Sequence, residues 1–472
     1  MDYMYCGNIL VVDLESGETE EIELEEDMVR DGIGGAGINI KLYKMYEDSN
    51  PLIFGTGPFT GSLVPGGNSG VITGKSPITG KISHFPFTLF CGLEFKLSGF
   101  SFLVLKGKSD KSVYFWLHDG IADIEDASSL WGKDTWETTE SIRKEKGDEL
   151  VQVLSIGMAG ENGSSLAQIT TNFWSSADCF GMGKVMGEKK VKAIAARGMG
   201  ELDIASPEEF VNRCAGILGK MRKAFKNKKG INGFTPFVGG EDIGPWLSPL
   251  VHRYSTNFNC PVAWNTFVKY NESPKVMEHD GVAEPGFLLT SLSEVLGIKK
   301  TGMEAEPACR TLEKMARLGL EPTNAAGLLE KAGKTSLEEA STELEKMISL
   351  TDVAIAPWPI ESEEARLEES FGAFSTKVPP RPIFADFNLS DDPEEVAKWW
   401  VNRNGLAYVL GICPTFALMS PQLTDEVFTE LINLSIGIEL KPDDLRQIVT
   451  NSIKNTAESY PSDSLVLVED IL

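Results

Sequence analysis

Apolar and polar positions change rhythm part-way along this 472-residue chain. Up to about residue 203 the apolar residues come in short runs: Asn8–Leu14, Phe102–Lys106, Val113–Leu117, Val151–Ile156 and Lys192–Arg197. Turn pairs such as Ser16-Gly17 and Asp119-Gly120 separate them, and this stretch holds 28 of the 46 glycines. Short runs broken by turns predict a β-rich domain of packed sheets, interrupted by a helix at about Asp134–Lys146. The alternation Glu21-Ile22-Glu23-Leu24-Glu25 predicts a half-exposed edge strand with a solvated acidic face. From Ser206 onward the period lengthens to about 3.6 residues, that of a helix. Ser206-Pro207-Glu208-Glu209 offers an N-cap, a proline at the first helical position and acidic first-turn residues, opening a helix to about Lys228. Further helices are expected at 288–297, 304–318, 336–349, 391–403, 423–435 and 442–458. Pro-rich connectors fall at 355–360 and 378–383. The expected fold class is α+β, a β-rich domain over 1–203 followed by one or two helical domains.

Charge narrows the choice of partners. Lys and Arg total 44 against 69 Asp and Glu, a net charge of −25. Hydrophobic residues make up 42 % of the chain, enough to bury a core, so a disordered acidic tail is excluded. Nucleic acid is excluded because phosphate neutralisation needs clustered cations. No apolar run approaches the ~20 residues of a membrane span. Met1–Cys6 has neither a basic start nor an apolar run after it, so a cytoplasmic, thiol-reducing setting is expected. Carboxylates crowd between Asp13 and Asp31. The reverse holds at Lys220–Lys229, which reads as the basic end of a helix or as a docking patch for an acidic redox partner.

The seven cysteines and four histidines are scattered. No CxxC occurs, which excludes a zinc ribbon or a ferredoxin-type cluster loop. No HExxH occurs either, and no histidine follows His279. Gly32-Ile33-Gly34-Gly35-Ala36-Gly37 formally satisfies GxGxxG. However, an acidic, helix-like segment precedes it where a dinucleotide fold needs an apolar strand.

The same glycines fit a different series. Asn8–Leu14, Gly34-Gly35, Leu52–Gly61 and Lys75-Ser76-Pro77-Ile78-Thr79-Gly80 are followed by Gly92–Phe100 and Ala127–Thr135. Ile156–Asn162, Gly181-Met182-Gly183-Lys184-Val185-Met186-Gly187 and Lys192–Gly198 complete it. This order resembles the N-terminal domain of the aldehyde ferredoxin oxidoreductase family of tungsten enzymes. The resemblance resumes more weakly at Glu294–Ile298, Leu410–Pro414 and Gly437–Leu445. It implies a base of two β-sheets over 1–203 with two mainly helical domains, 204–350 and a shortened 351–472. Between them the family places tungsten held by two pterin dithiolenes, a magnesium ion and a 4Fe–4S cluster. Its members oxidise aldehydes to acids and pass electrons to ferredoxin.

Each of those groups needs particular residues. At the positions matching the cluster cysteines this chain has Asn257, Cys260, Trp264 and Cys413, so two thiols remain where four thiolates are the norm. An indole has no lone pair to offer iron. The positions matching the pterin-phosphate anchors read Ala36, Asn68, Ser69, Pro86, Thr88-Leu89 and Cys179, with no arginine among them. The two pterin-binding Asp-x-x-Gly-Leu motifs read Glu294-Val295-Leu296-Gly297-Ile298 and Tyr408-Val409-Leu410-Gly411-Ile412. The vestigial cofactor-binding positions are therefore Gly181, Glu294, Gly297 and Gly411. The family's general-base glutamate matches Glu284 loosely, and its late histidine has no counterpart. The resemblance thus implies a fold kept without its cofactors: a non-catalytic structural or regulatory subunit, in a homo-oligomer or paired with an active relative. The alternative is a divergent oxidoreductase acting on aldehyde or oxo groups, with ferredoxin or another iron–sulfur protein as acceptor. Its pocket would lie near His84, Phe85, Phe87, Phe90 and Trp174. Cys260 and Cys413, brought together by such a fold, are either leftover buried thiols or a disulfide or zinc pair.

Overall fold

The computed structural model describes residues 3–176, 178–234, 243–270, 286–351, 393–454, 456–459 and 465–467. Six strands open a mixed sheet: β1 (Ile9–Asp13), β2 (Glu18–Ile22), β3 (Leu52–Thr56), β4 (Gly70–Lys75), β5 (Ile82–Phe87) and β6 (Phe102–Lys106). They lie in the order β5-β4-β3-β6-β1-β2. A second, five-stranded sheet contains β7 (Val113–His118), β8 (Ile121–Asp126), β9 (Gln152–Ile156), β10 (Ile169–Thr171) and β11 (Val191–Arg197), ordered β10-β9-β11-β7-β8. β12 (Val251–Ser255), β13 (Asn265–Lys269) and β14 (Gly286–Leu289) form a third, antiparallel sheet. Finally β15 (Thr456–Ser459) pairs with β5 and β16 (Leu465–Leu467) with β15, so the first sheet grows to eight strands.

The strands β3 and β6 at the centre of the first sheet are apolar but for their last residues, Thr56 and Lys106, because both faces are covered. Along β1 and β6, Ile9, Val11, Phe102 and Val104 join the large core shared with the helices. Their neighbours Leu10, Val12, Leu103 and Leu105 pack instead with Phe115 and Ile194 of the second sheet. This is the period-two division of a sandwiched sheet. On the far side of the second sheet, Tyr114, Val153, Ala193 and Ala195 pack with Ile142 of helix Thr135–Lys146. That helix starts as expected, with a capping box: Glu137 N donates to Asp134 Oδ1 at 2.7 Å, and Asp134 N donates to Glu137 Oε2 at 3.1 Å. The acidic edge strand exists as β2, three residues earlier than predicted, and its residues are mostly exposed.

Several expectations change. The N-terminal 203 residues hold further helices, among them Glu26–Gly32, Gly35–Met45, Cys91–Leu97 and Met182–Glu188. The glycine-rich GxGxxG segment thus opens a helix with no strand before it. Helix Pro207–Ala224 stops four residues short of Lys228, so Lys226–Lys229 lie beyond its last turn. Helix Pro322–Lys331 and the third sheet were not expected, and helix Pro393–Leu410 runs seven residues past the predicted 403. The connectors at 355–360 and 378–383 lie outside the described residues.

One buried cation holds the loop after β3. Lys96 is fully buried, and its ammonium donates to the carbonyl oxygens of Gly57, Pro58 and Thr60 at 2.9, 3.0 and 3.0 Å. Burial lowers its pKa to about 7. Against this loop rests the end of helix Pro393–Leu410. There Gly411 adopts φ +78°, and a Cβ would stand 2.1 Å from Thr60 Oγ1, so only glycine closes the helix onto the first sheet.

Candidate functional site

A cavity of about 200 Å³ opens where β5, the loop after β12, four helix starts and the end of helix Pro393–Leu410 converge. Its walls gather Asn257, Cys260, Trp264, Tyr408, Cys413 and Cys179. All four positions matched to cluster ligands, the tyrosine of the second Asp-x-x-Gly-Leu-like motif and three anchor positions therefore meet in one place. Gly66 holds the two cysteine loops side by side. Its N–H donates to Asn259 O at 3.0 Å, and its carbonyl accepts from Cys413 N at 2.9 Å. Burial pushes both thiols up, and Cys413 pushes Cys260 further, so both sit as neutral thiols. All seven cysteines are free.

The other two ligand positions are tied into the protein. Asn257 Oδ1 accepts from Asn265 Nδ2 at 2.8 Å, and Trp264 Nε1 donates to Thr290 O at 2.8 Å. Among the described residues, no three His, Cys, Asp or Glu side chains are placed to hold a metal ion. The cavity lining contains, among the described residues, neither Lys nor Arg. Of the anchor positions, Pro86, Thr88 and Cys179 line the cavity. Asn68 is buried and donates to Phe258 O at 3.0 Å, which braces the loop leading to Cys260. Ala36, Ser69 and Leu89 are buried away from the lining.

Four helix starts border the cavity; that of Pro414–Leu418 has Cys413 at its cap, and the other three each carry an internal carboxylate. Asp178 is fully buried and accepts from the backbone N–H groups of Ile169, Phe180, Met182 and Gly183 at 3.0 to 3.2 Å. It thereby fills the start of helix Met182–Glu188. Burial raises its pKa to about 7 against those four donors. Glu294 Oε1 accepts from Thr290 N and Ser291 N at 2.9 and 3.0 Å, at the start of helix Leu292–Lys300. Burial lifts it to about 7, and its Oε2 has no partner among the described residues. Glu321 caps helix Pro322–Lys331, accepting from Thr323 N at 2.8 Å and Asn324 N at 2.7 Å. Burial raises its pKa as well. Helix starts are the usual backbone sites for anions such as phosphate. Here Asp178 and Glu321 take first-turn amides of their helices, and Glu294 takes the two amides just before its own.

The vestigial glycines serve packing. Gly181, at φ +75°, begins its helix beside Pro77 and Ile78, and Ser76 Oγ donates to Phe180 O at 2.8 Å. The Lys75-Ser76-Pro77 and Gly181 motifs therefore lock to each other. Gly297 lies in mid-helix against Thr323 and Ala326, letting helices Leu292–Lys300 and Pro322–Lys331 approach. Glu284 lies outside the described residues. His84 and Phe85 line the cavity, with His84 held by Thr73 Oγ1 at 2.8 Å and Ser452 O at 3.0 Å. Burial lowers its pKa to about 4. Phe87 packs inward against Phe54 and Phe95, Phe90 faces solvent, and Trp174 stacks edge-on with Trp136 and Phe287. None of these three lines the cavity itself, although Phe87 and Trp174 each stand next in sequence to a lining residue. Asp178 and Glu321 escaped the sequence reading. Glu321-Pro322 was a legible cap followed by a proline at the first helical position, whereas Asp178 has no local signature.

Residues 9–198 match the aldehyde ferredoxin oxidoreductase N-terminal domain. Over 227 residues the chain is 36 % identical to the tungsten-containing aldehyde ferredoxin oxidoreductase of Pyrococcus abyssi, covering 46 % of this chain and 37 % of that protein. The first two-fifths of the chain is thus similar to the N-terminal domain of the aldehyde ferredoxin oxidoreductase family. The Pyrococcus furiosus enzyme of the same name is 37 % identical over 218 residues, 44 % of this chain and 36 % of its own length. The aliphatic sulfonate oxidoreductase WOR-like subunit of P. furiosus is 31 % identical over 223 residues, 42 % of this chain and 35 % of its own. These matches span little more than a third of each relative. The fold extends further. The active site complex BamBC of benzoyl coenzyme A reductase with 1,5-dienoyl-CoA aligns over 96 % of this chain and 88 % of that one, with a TM-score of 0.72 at 20 % identity. Among the described residues, no helix is long and apolar enough to cross a membrane.

Proposed function

We propose that this chain is a non-catalytic family member, a structural or regulatory subunit that holds neither the tungstopterin nor the iron–sulfur cluster. The observation carrying this reading is that, among the described residues, the cleft is lined by neither Lys nor Arg, while Asp178, Glu294 and Glu321 sit at three of the four helix starts around it. A bis-pterin brings phosphates that need cations or free amides, and this lining offers no such cation. Two neutral thiols, an amide and an indole are a poor donor set for a 4Fe–4S cluster. A relative whose name is that of a subunit, and a structural neighbour that is a complex, support assembly with another chain. Lys220, Arg222, Lys223, Lys226 and Lys229 are exposed on a chain of net charge −25, and we assign this patch to an acidic partner. The reading places the protein in a thiol-reducing cytoplasm.

Absorbance and fluorescence of the protein purified without oxygen test this. The expected result is a colourless protein that releases no pterin fluorescence on denaturation. A visible absorbance band with released pterin would restore the alternative, an active oxidoreductase.

A further inference from the structure

We propose that the cavity binds a small, uncharged heteroaromatic molecule that hydrogen-bonds to Ser175. This deepens the reading above and rests on it, since the cleft must be free of tungstopterin.

Ser175 is 5 % exposed, lines the cavity, and its Oγ has no hydrogen-bond partner among the described residues. A buried hydroxyl left unpaired costs about 1–3 kcal/mol, and a ring nitrogen or carbonyl that accepts from it, or an N–H that donates to it, removes that cost. The rest of the wall sets the ligand's class. Phe85, Phe180, Trp264, Tyr408 and Phe416 contribute rings, surfaces on which a flat heterocycle stacks. Charge is excluded by what surrounds the space. Among the described residues the lining has no Lys or Arg, and its carboxylate, Glu321, already accepts from Thr323 N, Asn324 N and Asn324 Nδ2. His84 has both ring nitrogens engaged and a depressed pKa, so it remains neutral. The thiols are held protonated. A phosphate or carboxylate entering here meets only neutral groups and the Glu321 carboxylate. Size agrees: about 200 Å³ falls below the roughly 300–1,000 Å³ of drug-sized sites and suits one small ring system.

Titration calorimetry on the full chain, with Trp264 fluorescence as a second readout, tests the assignment. Adenine, hypoxanthine, thymine and nicotinamide serve as uncharged probes. The 5′-monophosphates of the first three and nicotinate are their anionic counterparts. At least one uncharged ring is expected to saturate a single site, with its anionic counterpart roughly tenfold weaker or worse. Ser175→Ala is expected to weaken the ring about fivefold while leaving the melting temperature unchanged or raised, because the native hydroxyl is unpaired. The proposal is overturned if none of the four rings binds, if the anion binds as tightly as its ring, or if Ser175→Ala leaves the affinity unchanged. Tungsten and pterin are measured on the same preparation. Their presence overturns both readings, whereas their absence together with no ring binding overturns this one alone.

Discussion

Two sets of residues, both tied to the family's motifs or lying next to them, meet around one cavity and differ in kind. Gly181, Gly411 and Lys96 shape the frame: a left-handed helix start, a helix end seated on a loop, and an ammonium tying down three carbonyls. Cys179, Asn257, Trp264 and Tyr408 face the space that the frame encloses, and they are neutral. The frame is what a fold needs to close, because each of its members answers a steric or hydrogen-bonding demand of the backbone. The lining is what a charged cofactor needs, and here those demands go unmet or are met from within by Asp178, Glu294 and Glu321. Residues that close the fold and residues that face the cavity are thus distinct sets of single side chains.

The sharpest way to break this comparison is to damage the frame. Gly411→Val places a branched Cβ on Thr60 and forces an unfavourable φ, with an expected loss of at least roughly 3 kcal/mol in denaturant unfolding. A loss near zero would remove Gly411 from the frame. Lys96→Met leaves the carbonyls of Gly57, Pro58 and Thr60 without their donor, and about 3 kcal/mol is expected to disappear; circular dichroism melts would show it.

An internal carboxylate is tested by pH. Glu294 is raised from 4.5 to about 7, so its protonated form is the one the fold favours. Its contribution is complete below about pH 4.5 and is lost as pH rises through 7. Glu294→Gln keeps an oxygen for Thr290 N and Ser291 N but removes the titration. The stability difference between wild type and variant should therefore shrink by up to roughly 3 kcal/mol between pH 4.5 and 7. His84, whose depressed pKa acts in the opposite sense, cancels in this difference. A difference flat with pH would mean that Glu294 is ionised in the fold throughout.

Smaller effects belong to the lining and the surface. Trp264→Phe loses the hydrogen bond to Thr290 O but keeps most of the ring, for about 1 kcal/mol. A loss as large as that of Gly411→Val would move Trp264 into the frame. Replacing Arg222 and Lys223 by Glu should leave stability within about 0.5 kcal/mol while weakening salt-sensitive association with an acidic partner. Unchanged association in pull-down at low salt would remove the patch from the interface.

The frame was far more legible in the sequence than the lining. The strand at Phe102–Lys106 and the helix capped by Asp134 follow from local apolar runs and from a cap that acts within three residues. β15 was not legible, because its partner β5 lies more than 370 positions away and nothing local announces such a pairing. β12 hid because it is largely exposed, without the alternation that marks a half-buried strand. In the cleft, the family resemblance located Asn257, Cys260, Trp264, Tyr408 and Cys413 correctly as neighbours. It did not foresee that Asp178 would turn its carboxylate onto four amides, three of them local at Phe180, Met182 and Gly183 and the fourth, Ile169, supplied by β10.

The central claim, that the frame persists without the metal cofactor, is tested most directly by elemental analysis of protein purified anaerobically from its own host. The account predicts tungsten and molybdenum far below one atom per chain. Near-stoichiometric tungsten or molybdenum would contradict it.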